Sequence, residues 1–254
     1  MINRYALLEH SPWGSILEIN PTLHVHLIQS NGLTSAENSA LNQFLQNYRL
    51  TKKVHLIQLW EVEYQLQKEL IDTMLDARNG KYNQIHARKC VVKIIEPTIA
   101  RSFLEHNHVL VTADLKTAKK PTFSIAFGLE MDGRLVALAT FGKPIQKTKS
   151  YDHPFFSGEM IHFCNLRGYR VYGGLDKLLK HYARSFELDD IMTYSDNAWS
   201  DGKVYEKLGF EKKGIFEPIA FELLNGKRIR IITPKDNERY IWNSGSIKYV
   251  TTKL

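Results

Sequence analysis

Apolar positions along the chain switch repeatedly between the two-residue spacing of strands and the three-to-four spacing of helices. Ser15 to Gln29 reads as strand-like, with Ile16, Leu17, Ile19, Leu23, Val25 and Leu27 marking its runs and Pro21 interrupting them. Ser35 to Tyr48 has helical spacing through Ala36, Leu41, Phe44 and Leu45. Val54 to Trp60 predicts a strand, and Val62, Leu66, Leu70, Met74 and Leu75 predict a helix over Glu61 to Arg78, stopped by Asn79-Gly80. Gly80 to Gln84 reads as a linker, His86 to Ile95 as a strand, and Pro97 opens a helix through Leu104. A polar loop from Asn107 to Pro121 precedes a hairpin of Phe123 to Met131 and Arg134 to Phe141, turned at Asp132-Gly133. Gly142 to Ser157 is a second loop, Gly158 to Asn165 a strand, and Gly174 to Phe186 a helix with Leu175, Leu178, Leu179 and Tyr182 on its stripe. Ile191 to Ser195 is a strand, followed by a short helix from about Trp199 to Gly209, with Ser200 and Asp201 as candidate caps. A hairpin of Pro218 to Leu224 and Lys227 to Ile232 turns at Asn225-Gly226, and Ser246 to Thr251 is a closing strand.

This succession predicts an α/β fold of the α+β kind, a mixed central sheet flanked by helices. The linker divides it into a small N-terminal α/β domain, residues 1–84, and a larger domain, residues 85–254. At 254 residues the chain can bury one large core or two small ones. No apolar run approaches the roughly 18 residues that span a bilayer, and the N-terminus lacks an apolar signal region. Cys90 and Cys164 each sit in apolar runs and read as buried thiols of a reducing cytoplasm rather than a disulfide or metal set. The net charge of +7 suits a polyanionic partner, a nucleic acid or the phosphates of a coenzyme.

The stretch Tyr205-Glu206-Lys207-Leu208-Gly209-Phe210 after a strand resembles the last segment shared by GNAT acyl-CoA N-acyltransferases, a resemblance that spans about two-thirds of the chain. In that family the tyrosine protonates the departing thiolate, so the resemblance implies that role for Tyr205. The family also holds the coenzyme pyrophosphate on an Arg/Gln-x-x-Gly-x-Gly/Ala turn. Here the turn is Arg170-Val171-Tyr172-Gly173-Gly174-Leu175, with Leu175 at a position usually small. Acetyl-CoA or another acyl-CoA is the implied cosubstrate. A base for the acceptor amine is sought on the preceding strand: Glu159, Ile161 and Phe163 share one face in strict alternation, and Met160, His162 and Cys164 the other. Glu159 is preferred, His162 being the alternative. Asp196 either orients a substrate or caps its turn.

A further set of blocks resembles the phage branch of Mom-like DNA-modification proteins and the GNAT-like domains of mobile-element endonuclease-type proteins. They include Phe103 to His108, Thr140-Phe141-Gly142-Lys143-Pro144, Gly158 to Asn165, and Tyr194-Ser195-Asp196 leading to Gly202-Lys203-Val204-Tyr205. This implies a DNA or nucleotide acceptor lined by Asn107 and His108 with Glu159, and nucleic-acid contacts from Lys116, Lys119, Lys120, Lys143, Lys147 and Lys149. Leu59-Trp60-Glu61-Val62-Glu63-Tyr64 is similar to the closing segment of nucleases related to very-short-patch repair enzymes. The acidic cluster such a nuclease needs cannot be assembled before Val54, so residues 1–84 read as an accessory remnant. Two other readings stand beside the base-modifying transferase: a non-catalytic DNA-binding module, and an acetyltransferase for a small-molecule or protein amine.

Overall fold

The computed structural model describes residues 4–29, 31–109, 123–147, 154–224 and 227–253. In chain order the elements are β1 Ala6–Ser11, β2 Gly14–Asn20, β3 Leu23–Ile28, α1 Ser35–Lys52, β4 His55–Trp60, α2 Glu61–Leu66 and α3 Lys68–Arg78. They continue with β5 Asn83–His86, β6 Val91–Ile94, α4 Pro97–Asn107, β7 Ile125–Met131, β8 Arg134–Phe141, β9 Ile145–Lys147, β10 Phe155–Asn165 and β11 Tyr169–Tyr172. The last are α5 Gly174–Ser185, β12 Asp190–Asp196, α6 Lys203–Lys207, β13 Glu211–Phe216, β14 Ala220–Leu224, β15 Lys227–Ile231, β16 Ile241–Trp242 and β17 Ser246–Thr251.

The mixed α/β character and most elements match the hydrophobic periodicity. Several places differ: the loop expected at Gly142 to Ser157 holds β9 and the start of β10, and the helix expected over Glu61 to Arg78 is divided into α2 and α3. The predicted linker at Gly80 to Gln84 runs into β5, which pairs in parallel with β11, Tyr172 opposite His86. A 3-10 turn at Ala87–Lys89 then breaks the predicted strand before β6. The helix expected from Trp199 is confined to α6. Asp196 Oδ1 accepts the Ala198 amide (2.7 Å) and its carbonyl accepts those of Trp199 and Ser200, so residues 196–200 form a turn instead. The Asn225-Gly226 turn and the lysine loop at 110–122 lie outside the described residues.

The chain divides into two compact units, at boundaries other than residue 84. Unit 1 takes 1–71, 195–202 and 215–247, and unit 2 takes 72–194, 203–214 and 248–254. In unit 1 a β1-β2-β3 antiparallel meander is followed by α1 and by β4 parallel to β3. Helix α1 starts at a capping box of Thr34 and Glu37 and buries Leu41, Leu45 and Tyr48 among Ile16, Ile28, Leu56 and Trp60. The Trp60 indole donates to Trp242 O (2.9 Å) and the Trp242 indole to Leu33 O (2.8 Å), so neither buried N–H is stranded. Glu63 is held by Arg228, whose Nη2 donates to Oε2 at 2.7 Å.

Unit 2 is built on an eight-stranded mixed sheet in the order β13-β17-β12-β10-β8-β7-β6, with β9 paired to the start of β10. Asp132 and Gly133 both take positive φ (52° and 76°) in the two-residue turn joining β7 and β8, the geometry that Asp-Gly favours. Helix α4 packs Ala100 and Leu104 against Phe123, Ala126, Leu138 and Cys164. Helix α5 covers the opposite face, where the Tyr182 ring stacks on Phe141 at 4.1 Å. These two layers fix which face any residue of β10 presents.

Candidate functional site

Strand β10 is paired unevenly. On one edge it runs antiparallel to β8 through Asn165. On the other it meets β9 and then β12 in parallel, the latter only as Ser157 with Asp190, Gly158 with Ile191 and Glu159 with Met192. Among the described residues no strand pairs with that edge of β10 beyond Glu159, although β10 continues to Asn165 and β12 to Asp196. Two neighbouring parallel strands therefore part at Glu159, leaving backbone donors and acceptors of β10 without a ladder on that side.

The β10–β8 register shifts between Met160, opposite Phe141, and His162, opposite Thr140. Phe141 and Thr140 are consecutive on a regular strand and face opposite ways. Met160 and His162 are therefore on opposite faces as well, the signature of a bulge at Ile161. This corrects the alternation expected from sequence: Glu159 and His162 share a face, the one packed by α4, instead of opposing each other. Ile161 and Cys164 on that face pack with the α4 cluster, and Gly142, donating its amide to Glu159 O (2.9 Å), lies beside the Glu159 side chain.

Gly158, just before the parting, lies under α5. A Cβ there would stand 2.5 Å from Tyr182 Cε1 and 2.6 Å from Leu188 Cδ1, so only glycine lets the helix sit this close. The Tyr182 hydroxyl donates to Gly142 O (3.0 Å), tying helix and hairpin together beside Glu159. Burial raises the Glu159 pKa above the ordinary carboxylate value, with Lys248 pulling it back down.

Tyr205 on α6 is half-buried between Tyr249 (rings 5.3 Å apart) and Phe210 (5.7 Å). Burial raises its phenol pKa, and a hydrogen bond with Thr193 offsets part of the rise. The Thr193 hydroxyl in turn reaches Met160 O at 3.0 Å, the carbonyl directly after Glu159. Thr193 follows Met192, the register partner of Glu159, and so belongs to the other face of the sheet. Glu159 and Tyr205 thus approach the point where β10 and β12 separate from opposite faces, joined through Thr193 and Met160.

The glycine turn follows the far end of β10, where Asn165 lies about 17 Å from Glu159, five steps of the paired β8 at about 3.4 Å each. Gly173 is the N-cap of α5 with φ 74° and no side-chain cap, leaving the first amides of the helix to an outside acceptor. Leu175 is buried in the core and does not enter the turn. Asp176 puts a carboxylate in the first helical turn, balanced by Lys180 at 2.9 Å. Arg170 sits on β11 with its guanidinium over the rings of Tyr82 (5.4 Å) and Tyr172 (5.2 Å).

The remaining residues singled out from sequence have other occupations. Asn107 ends α4, its amide donating to Phe103 O (2.7 Å) and its oxygen accepting the Arg167 amide (2.6 Å). His108 lies edge-on to His162 (5.5 Å), whose Nδ1 meets Thr140 Oγ1 at 2.9 Å. Burial lowers His108 to about 3 and His162 to about 4, so both are neutral at physiological pH. Asp196 belongs to unit 1, and there it closes the 196–200 turn; burial raises its pKa. Lys147 pairs with Asp190 at 2.9 Å, Lys143 is exposed, and Lys116, Lys119, Lys120 and Lys149 lie outside the described residues. Thr193 and Lys248 were not foreseen from the sequence, because their relation to the site depends on the order of the strands.

A scan against protein-family models finds none that matches, and a search of curated proteins finds no match. Among solved structures, the chain is similar to the ribosomal-protein-S18-alanine N-acetyltransferase from Escherichia coli at 15% identity and TM-score 0.42, covering 63% of this chain and 92% of that one. It is also similar to the IAA acetyltransferase from Bacillus cereus (16% identity, TM-score 0.41, 63% and 97% covered). A third similar structure is a GNAT family acetyltransferase from Elizabethkingia anophelis with acetyl-CoA bound (12% identity, TM-score 0.43, 64% and 97% covered).

Proposed function

We propose that unit 2 is an acyl-CoA-dependent N-acyltransferase of the GNAT type. The observation that carries the reading is the parting of β10 and β12 at Glu159–Met192, flanked by a carboxylate on one face and a phenol on the other. The unpaired edge of β10 runs from that point to Asn165, whose side chain accepts the Val171 amide (3.2 Å) two residues before the N-cap of α5. It offers a strand-like surface to an extended, amide-bearing arm, and the helix end offers amides to a diphosphate. The pantetheine arm and pyrophosphate of coenzyme A have this form, and the thioester they carry supplies the activated acyl group.

Glu159, with its raised pKa, takes a proton from the acceptor amine as the C–N bond forms. Tyr205, kept protonated by burial, gives its proton to the thiolate as the C–S bond breaks. Approach from opposite faces lets the amine enter on the α4 side while the leaving group is met on the α6 side. Neutral His162, on the Glu159 face, lines the acceptor side together with Thr140.

The acceptor is read as an amine of a nucleic-acid base, on the net charge of +7 and the resemblance of the Gly158 to Asn165 block to Mom-like proteins. An amine on a small molecule or a protein is the alternative. Calorimetry with acetyl-CoA tests the first step: the wild type and Tyr205→Phe should bind alike, and absence of binding by the wild type removes the transferase. Mass spectrometry of nucleosides from cells expressing the protein tests the acceptor. A new nucleoside absent with Tyr205→Phe supports a base, and unchanged nucleosides reject it.

A further inference from the structure

The two-stranded sheet of β5 and β11 presents an outward face to which the steps proposed above assign no role, although Arg170 and Tyr172 belong to the turn that the family resemblance gives to the coenzyme pyrophosphate. In register, Tyr172 lies beside His86, and neither strand contains an acidic residue. Arg170, His86 and Tyr172 are exposed, and Tyr82 stands at the entrance to β5. These side chains form one assembly. The Tyr82 and Tyr172 hydroxyls are hydrogen-bonded at 2.5 Å, with ring centroids 6.3 Å apart. Arg170 lies over both rings, and the His86 ring is 6.0 Å from Tyr172 at an interplanar angle of 36°. Arg88 and Lys89, both exposed, follow directly on the 3-10 turn after β5.

Tyrosines are seldom displayed in a cluster without a partner, since their rings gain from being covered. Here the mutual hydrogen bond and the guanidinium hold the rings in place, so little side-chain entropy remains to be lost when a planar ligand stacks on them. The cations beside the rings and the lack of carboxylates on either strand select a ligand that is both flat and anionic. A protein strand would bring flatness without the charge, and a base-paired duplex hides its ring faces.

We propose that Tyr82, His86, Arg170 and Tyr172 are a stacking platform for single-stranded nucleic acid, with Arg88 and Lys89 contacting its phosphates. The platform shares Arg170 and Tyr172 with the turn expected to hold the coenzyme pyrophosphate, so its test includes the coenzyme, and it needs no turnover.

The test is fluorescence anisotropy with a labelled oligothymidylate of about 15 nucleotides at low and at moderate salt. The wild type should bind it more tightly than a duplex of equal length, and binding should weaken as salt rises. The double variant Tyr82→Ala/Tyr172→Ala should lose about 10-fold or more in affinity. Tyr82→Phe/Tyr172→Phe, which keeps the rings, should stay within about 2-fold of wild type. An unchanged thermal transition in the alanine variant excludes unfolding as the cause. Failure of the wild type to bind, equal binding of duplex, or unaltered binding by the alanine variant overturns the proposal. Acetyl-CoA calorimetry on the alanine variant is the remaining arm. Loss of coenzyme affinity with oligonucleotide binding intact assigns the rings to the coenzyme and also overturns it.

Discussion

At the scale of single residues, the candidate chemistry rests on two groups whose environments move them the same way for different ends. Burial raises both the Glu159 carboxyl and the Tyr205 phenol. For the glutamate this makes a stronger base, and for the tyrosine it preserves the proton to be donated. Activity should therefore rise with pH as Glu159 loses its proton and then level off, with the inflection above that of an ordinary carboxylate. Glu159→Gln should flatten that limb and lower the rate by about 100-fold or more, as measured in an initial-rate pH series. A variant that keeps the wild-type inflection would assign it to another group. Tyr205→Phe should reduce kcat by about 10- to 100-fold with KM for the acyl donor little changed, because a thiolate leaves with less help than an amine or alkoxide would.

At the scale of elements, the bulge in β10 does most to shape the site. It turns Glu159 and His162 onto one face, and it comes where the ladder to β12 ends. Gly158 is the packing counterpart, since its missing Cβ admits Tyr182 and Leu188. Gly158→Ala should cost about 1–3 kcal/mol through overpacking, visible as a fall in thermal midpoint of about 2–4 °C for each kcal/mol. The same variant should impair turnover more than the stability loss explains, because α5 is levered away from Glu159. The elements themselves were legible from hydrophobic period: the hairpin at Asp132-Gly133, the strand Ser246–Thr251 and the helix opened by Pro97 stand where the pattern put them. The bulge was not legible. Strict alternation assumes a regular ladder, and the extra residue at Ile161 is detectable only against β8.

At the scale of the whole molecule, buried neutral histidines tie stability to pH. His26 and His162 are lowered to about 4 and His108 to about 3. Their folded pKa values lie below the unfolded value of 6.5, so the unfolded chain binds protons first as pH falls. Their contribution is fully present above about 6.5 and is lost progressively down to about 4 for His26 and His162 and about 3 for His108, worth on the order of 3 kcal/mol for His162 alone. Thermal midpoints measured from pH 7 to pH 4 should fall more steeply for the wild type than for His162→Gln, which has no proton to gain. Parallel curves would show that His162 titrates normally. The two units add a topological point: residues 195–202 and 215–247 return to unit 1, whose first segment ends at residue 71, ahead of the linker expected at Gly80 to Gln84.

The local preferences of the chain settled most of the helices and strands, and which residue types were available for acid–base work. The side of the sheet on which each one emerges was decided by the fold alone, through register with β8 and β12. Whether a polar group titrates, caps a turn or bonds a backbone amide was decided there too. Asn107 and Asp196 became structural anchors, whereas Thr193 became the link between Glu159 and Tyr205. The physical reason is that propensity and period act over a few neighbours along the chain, while facing, burial and pKa depend on residues dozens of positions away.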